Sequence, residues 1–184
     1  PEGRAFDPVP ANNINVKVEV EGDVNSSGVL VARKVEFESG DDDGDGDDDS
    51  IDGRVGGDVT AVNAGAGTLA IAGVTVTVTP ETRYEDQTGV AEQSFGLDDI
   101  TVGDYVEARG DPGAGATLTA LIVERGEPDE GLLRGPAGAI DAVARTLSVL
   151  GVSVTTDVND TQYRDSNEIG ISAAEFFAAL STGS

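Results

Sequence analysis

The chain has no histidine, no cysteine, no methionine and no tryptophan among its 184 residues. Without histidine and cysteine it cannot build a Ser-His-Asp or Cys-His nucleophile system. The same absence removes the usual ligands of zinc, copper, haem and iron–sulfur sites. Disulfides are excluded as staples, so the fold must rest on packing and hydrogen bonds. Aromatic residues are scarce, with three Tyr and five Phe. No run of 18 apolar residues occurs, so no membrane-spanning helix is expected. What survives is carboxylate acid–base chemistry and oxygen ligation of Ca²⁺ or Mg²⁺.

Acidic residues are abundant: 35 against 11 basic ones, a formal charge of −24. That field repels nucleic-acid phosphates and anionic lipid, and it keeps the chain soluble. Nucleic acid is therefore not an expected partner, and no small-molecule substrate or enzymatic activity is expected. The Gly, Thr, Val and Asp content, with little Lys, reads as an extracellular β protein, secreted or at a cell surface. Pro1-Glu2-Gly3 is read as the start of a mature chain with its leader removed.

Internal repetition organises the sequence. Val18-Glu19-Val20-Glu21-Gly22-Asp23, Leu30-Val31-Ala32 and Val35-Glu36 recur 88 residues later as Val106-Glu107-Ala108-Arg109-Gly110-Asp111, Leu118-Thr119-Ala120 and Val123-Glu124. A second block, Thr68-Leu69 to Val74-Thr75-Val76, recurs 78 residues later as Thr146-Leu147 to Val152-Ser153-Val154. Thr82-Arg83-Tyr84 recurs 79 residues later as Thr161-Gln162-Tyr163. The order along the chain is back half, front half, back half, front half.

One unit, 51–126, is thus continuous, and the other is split between the chain ends. Residues 1–14 read as an extended arm, because Pro8 and Pro10 disfavour regular structure. Residues 15–38 read as a back-half hairpin, 39–50 as an acidic Asp/Gly linker, 127–131 as a second linker, and 132–184 as a front half. Val16, Val18 and Val20 alternate with charged residues, as do Val74, Val76 and Val78 with threonines, which is the period of half-buried strands. Ser172-Ala173-Ala174-Glu175 is a capping box ahead of Phe176, Phe177 and Leu180 and predicts a short helix. A weaker counterpart lies between Ser94 and Ile100. Three strands, a short helix and two strands is the order of five-stranded OB-type barrels. The fold expected is all-β, with one or two short helices and two small OB-like barrels. The second barrel is assembled from 132–184 and a back half equivalent to 15–38.

The pattern carried by Gly53 to Val55, Leu69 to Val74, Thr82 to Tyr84, Val102 to Gly110 and Leu118 to Ala120 resembles a bacterial family, the domain of unknown function 5666. The resemblance implies tandem modules of exported proteins and small β-barrel units. It carries no activity. The split unit departs from that pattern, which would continue past Ser184.

Two features bear on function. Read from Asp41, the acidic run places Asp41, Asp43, Asp45, Asp47 and Asp49 at positions 1, 3, 5, 7 and 9, Gly46 at 6 and Asp52 at 12. That is the Ca²⁺-loop spacing, with Asp where a bidentate Glu is usual. The alternative is a solvated, self-repelling linker. Second, a half barrel leaves unpaired backbone groups and an exposed apolar face. The half at 132–184 needs a back half from its own chain, from a neighbouring copy, or from further residues of a longer protein. The expected seam joins Val16, Val18, Val20, Leu30, Val35 and Phe37 to Leu147, Val149, Val152, Val154, Phe177 and Leu180. The function expected is a structural subunit of an extracellular bacterial or archaeal filament or surface assembly, polymerising head-to-tail with copies of itself by strand complementation. The alternative is a monomeric or tandem exported binding module, Ca²⁺-dependent or not.

Overall fold

A computed structural model describes residues 16–25, 29–38, 52–89 and 94–182. The fold is all-β, and the described residues form twelve strands and one α-helix. The strands are β1 (Lys17–Val24), β2 (Leu30–Phe37), β3 (Gly53–Asn63), β4 (Thr68–Ile71), β5 (Val74–Asp86), β6 (Tyr105–Pro112), β7 (Thr117–Arg125), β8 (Gly131–Asp141), β9 (Thr146–Val149), β10 (Val152–Thr156), β11 (Gln162–Arg164) and β12 (Gly170–Ile171). The helix is α1 (Ala173–Thr182).

The continuous repeat closes as a five-stranded barrel. β3 pairs with β4, β4 with β5, β5 runs parallel to β7, β7 pairs with β6, and β6 returns to β3. Alternation sets the inside: Val55, Val59, Leu69, Ile71, Val74, Val76, Val106, Leu118 and Val123 are all buried. The bottom of this barrel is closed by a single 3₁₀ turn, Leu97–Asp99, where the sequence has a weak helix signal.

The other front half closes the same way, using the N-terminal hairpin of its own chain. β8 pairs with β9 and β9 with β10; β10 and β11 lie parallel to β2, β2 pairs with β1, and β1 returns to β8. The two barrels are congruent down to individual pairs. Gly53 faces Gly110 in the first, and Gly131 faces Gly22 in the second. Both back-half hairpins carry a register shift at the same place, between Arg109 and Gly110 and between Glu21 and Gly22. The long strand β5 becomes two pieces, β10 and β11, because the loop 157–161 interrupts it.

The front-half hairpins turn through Ala72-Gly73 and Leu150-Gly151, all four with positive φ (47°, 83°, 49° and 74°). Two successive left-handed residues make the turn whose twist matches paired strands, and glycine at the second position relieves half its steric cost. The barrels meet through β3 and β8, with Val55 directly opposite Leu133. These two residues are equivalent under the 78-residue repeat, so the contact has approximate two-fold symmetry.

Candidate assembly site

The seat of the β1–β2 hairpin is the place where the sequence repeat and the chain order disagree, and it is built from the inside outward. Val18, Val20, Leu30 and Val35 are fully buried, Phe37 is buried, and Val16 lies at the margin of the core. Leu147, Val149, Val152, Val154, Phe177 and Leu180, from the far end of the chain, are buried in the same cluster. All twelve seam positions lie in one hydrophobic core. Removing such side chains from water at ~25 cal/mol per Å² is what holds the hairpin down.

The expected seam omits Phe176, which is fully buried. Its ring stacks on Phe37 with centroids 4.5 Å apart, and it also meets Tyr163 at 5.4 Å. The helix that presents it starts where its capping box predicts. Glu175 accepts from the Ser172 backbone N–H (2.8 Å) and hydroxyl (2.6 Å), and the Glu175 N–H donates back to the Ser172 hydroxyl (3.3 Å). The Ser-X-X-Glu spacing that allows this is the signal that places Phe176, Phe177 and Leu180 on one side of α1.

Polar groups fix the register. The Thr161 hydroxyl donates to the Ala32 carbonyl (2.6 Å) and accepts from the Asp157 N–H (2.8 Å). Around the rim, Lys17 pairs with Asp52 (2.5 Å), Arg33 with Glu130 (2.5 Å) and Arg134 with Glu38 (2.9 Å). Each links the hairpin to residues beyond position 51. Surface pairs of this kind contribute little individually.

The outward face of the hairpin is acidic. Glu19 lies opposite Glu36 on one side and Arg134 on the other. Lys34 serves three carboxylates, at 2.7 Å from Glu21, 3.4 Å from Glu36 and 3.7 Å from Glu19. Burial, reinforced by the charge of Glu38, raises the Glu19 carboxyl above its ordinary value. Burial alone would lower the Lys34 ammonium, but Glu21, Glu19 and Glu36 outweigh it and hold it above its usual range.

The expected Ca²⁺ loop falls almost wholly outside the described residues. Asp41, Asp43, Asp45, Asp47 and Asp49 lie outside the described residues. Asp52 is described, exposed, and engaged with Lys17. Among the described residues no group of three or more acidic side chains is arranged to hold a metal. Tyr84 packs edge-on against Phe95, and Asp86 is bound by Arg125 at 2.9 Å. An open groove of about 590 Å³ lies beside β11 and β12, lined by Val158, Tyr163, Arg164, Glu168 and Ile171 among others. No described helix is long and apolar enough to cross a membrane.

Fold and seam together define a protein of OB-like β-barrel units whose halves are permuted along the chain. The model of one family, described as a domain of unknown function (DUF5666), matches residues 11–36 and 56–124. The chain belongs to that family. The two matched stretches are the hairpin that closes the second barrel and most of the first barrel. No curated protein and no solved structure matches the chain.

Proposed function

We propose that the chain is a non-enzymatic structural module of an exported protein, a rigid pair of fused barrels closed by its own N-terminal hairpin. The observation that carries this reading is the in-register seat of β1 between β2 and β8, continuous over Val18 to Glu21 on both sides. A module closed on itself exposes no half barrel and has no need of a partner to fold. The lack of His and Cys fits a role without nucleophilic catalysis. The acidic composition and the family membership support export. Native mass and negative-stain imaging test the reading. A compact particle of 18.7 kDa is expected, and long particles built from that chain would overturn it.

A second reading, head-to-tail assembly into a filament, is favoured by one specific observation. Both ends of the connection 39–51 converge on Lys17: the Glu38 N–H donates to its carbonyl (3.0 Å), and Asp52 pairs with its ammonium (2.5 Å). Thirteen residues can span roughly 40 Å when extended, far more than that short gap requires. The hairpin could therefore reach the second barrel of a neighbouring copy and make the same contacts there. Such an exchange is heterologous and propagates unless it closes into a ring. Deleting residues 1–38 would abolish assembly under this reading, and polymerisation of the truncated chain would end it.

A further inference from the structure

Glu19 and Glu107 occupy the same position of the repeat, 88 residues apart, and they have opposite surroundings. In the first barrel Glu107 accepts from Arg54 and from Arg109, both at 2.7 Å. In the second barrel the position equivalent to Arg109 is Glu21, so a cation is replaced by another carboxylate. Glu19 is left with Lys34 at 3.7 Å, beyond hydrogen-bonding distance, as its nearest ion pair. Its side chain is only 16% exposed, so water screens it poorly.

The groups facing it can be named from every side. β2 supplies Glu36 directly opposite and Lys34 one step away, and Glu38 follows at its end. β8 supplies Arg134 directly opposite, already bound to Glu38 at 2.9 Å. β3 supplies the distant attraction of Arg54, which is committed to Glu107. Its own strand supplies Glu21, bound to Lys34, and Lys17, bound to Asp52. Every nearby cation thus has a closer carboxylate than Glu19. Like charges directly opposite on an antiparallel ladder are destabilising.

We infer that Glu19 is an acid-sensitive latch on the β1–β2 hairpin: protonated, it holds the hairpin in the second barrel, and ionised, it loosens it. The inference rests on the reading that this hairpin is the element that completes the barrel. A neutral Glu19 removes one charge from the Glu19–Glu36–Glu38 group and gains an O–H to donate to a neighbouring carboxylate. The direction of the Glu19 shift agrees. Its carboxyl is raised above 4.5 by burial and then by Glu38. The stabilisation is complete below 4.5 and is lost as pH rises through the folded value. Acid therefore secures the hairpin, and a rise in pH frees it for exchange between copies.

Hydrogen exchange on the full chain tests the latch, read as protection factors at about pH 5 and about pH 7. Glu19→Gln mimics the protonated side chain at constant shape. At the higher pH it should slow exchange of the β1–β2 amides by roughly threefold to tenfold, with the difference between the two pH values reduced. Glu124→Gln, in the first barrel, should leave the hairpin's protection unchanged. Unchanged or faster hairpin exchange in Glu19→Gln would overturn the inference, as would equal slowing of both barrels. Carbon-detected titration of Glu19 in the parent chain gives an independent reading, and a midpoint at or below the ordinary carboxylate value would also overturn it. Native mass is measured on the same samples. It reports whether the hairpin is shared between copies, so the latch and the closed-module reading fail separately.

Discussion

The Thr161 hydroxyl donates a 2.6 Å hydrogen bond to the carbonyl of Ala32, and Thr82 makes the same bond to Ala120 at 2.7 Å in the other barrel. Each threonine also accepts a backbone N–H at 2.8 Å, from Asp157 and from Thr79. The threonine of the repeated Thr-X-Tyr step is thus a clip from front half to back half, placed where β5 shifts register and where β10 gives way to β11. In the second barrel the clip joins residues 129 positions apart. Replacing Thr161 by Val keeps the shape and leaves the Ala32 carbonyl unpaired in a buried site. The expected loss is about 1–3 kcal/mol, read as a lower urea midpoint with faster exchange confined to the second barrel. Thr82→Val should give a similar loss confined to the first.

Gly22 and Gly110 sit at the paired register shifts of β1 and β6. An alanine Cβ at Gly22 would lie 2.1 Å from the Val31 carbonyl oxygen, and at Gly110 2.0 Å from that of Thr119. These obstacles are backbone atoms of the paired strand and cannot rotate away. Gly22→Ala should destabilise by more than ~3 kcal/mol and dislodge the hairpin while the first barrel stays protected. Gly110→Ala should open the first barrel. Thermal melting followed by circular dichroism, with peptide-level hydrogen exchange, separates the two.

The plugs of the barrels differ in chemistry at one equivalent position. Arg125 in the first corresponds to Phe37 in the second. Arg125 pairs with Asp86, whose side chain is 1% exposed, and lies 4.6 Å over the Phe95 ring. Phe37 instead stacks on Phe176. Arg125→Ala takes the guanidinium away from the buried Asp86 carboxylate, which keeps its hydrogen bonds from Thr88, and should cost about 3 kcal/mol. The double variant Asp86→Leu with Arg125→Met should cost clearly less, because it removes both charges together. Denaturant titration of the single and double variants measures the difference.

Two opposed glutamates give the first barrel a pH profile with two limbs. Burial alone would raise Glu107, but its bonds to Arg54 and Arg109 outweigh that and hold it below 4.5. Its contribution is present above 4.5 and is lost as pH falls through the folded value. Glu124 runs the other way: burial and then the charge of Glu107 raise it. Its contribution is present below 4.5 and is lost as pH rises through the folded value. Glu107→Gln should flatten the acid limb, and Glu124→Gln should raise stability at neutral pH. Urea midpoints across a pH series check both.

The barrels were legible in the sequence because both halves of the repeat keep their alternation and their spacing. Val18, Val20, Leu30 and Val35 declare an inward face, and a strand shifted by one residue would expose it. The Ser172–Glu175 capping box declared α1. The charged seam was not legible. Lys34, Glu19, Arg134 and Arg54 come from four strands, and only the pairing of β1 with β8 and of β3 with β8 puts them on one surface. The interruption between β10 and β11 was equally hidden, since Thr155 and Thr156 continue a strand pattern until Asp157 turns the chain. The clip role of Thr82 and Thr161 needed the parallel register of β5 with β7, which no local signal encodes.

The pairing of β1 with β8 inside one chain is what closes the second barrel. Isotope-filtered nuclear Overhauser measurements on an equal mixture of ¹⁵N-labelled and ¹³C-labelled protein test it directly. Contacts between Val20 and Leu133, which face each other across β1 and β8, are predicted within chains carrying a single label. Their appearance between differently labelled chains, or their absence altogether, would contradict a second barrel closed by its own hairpin.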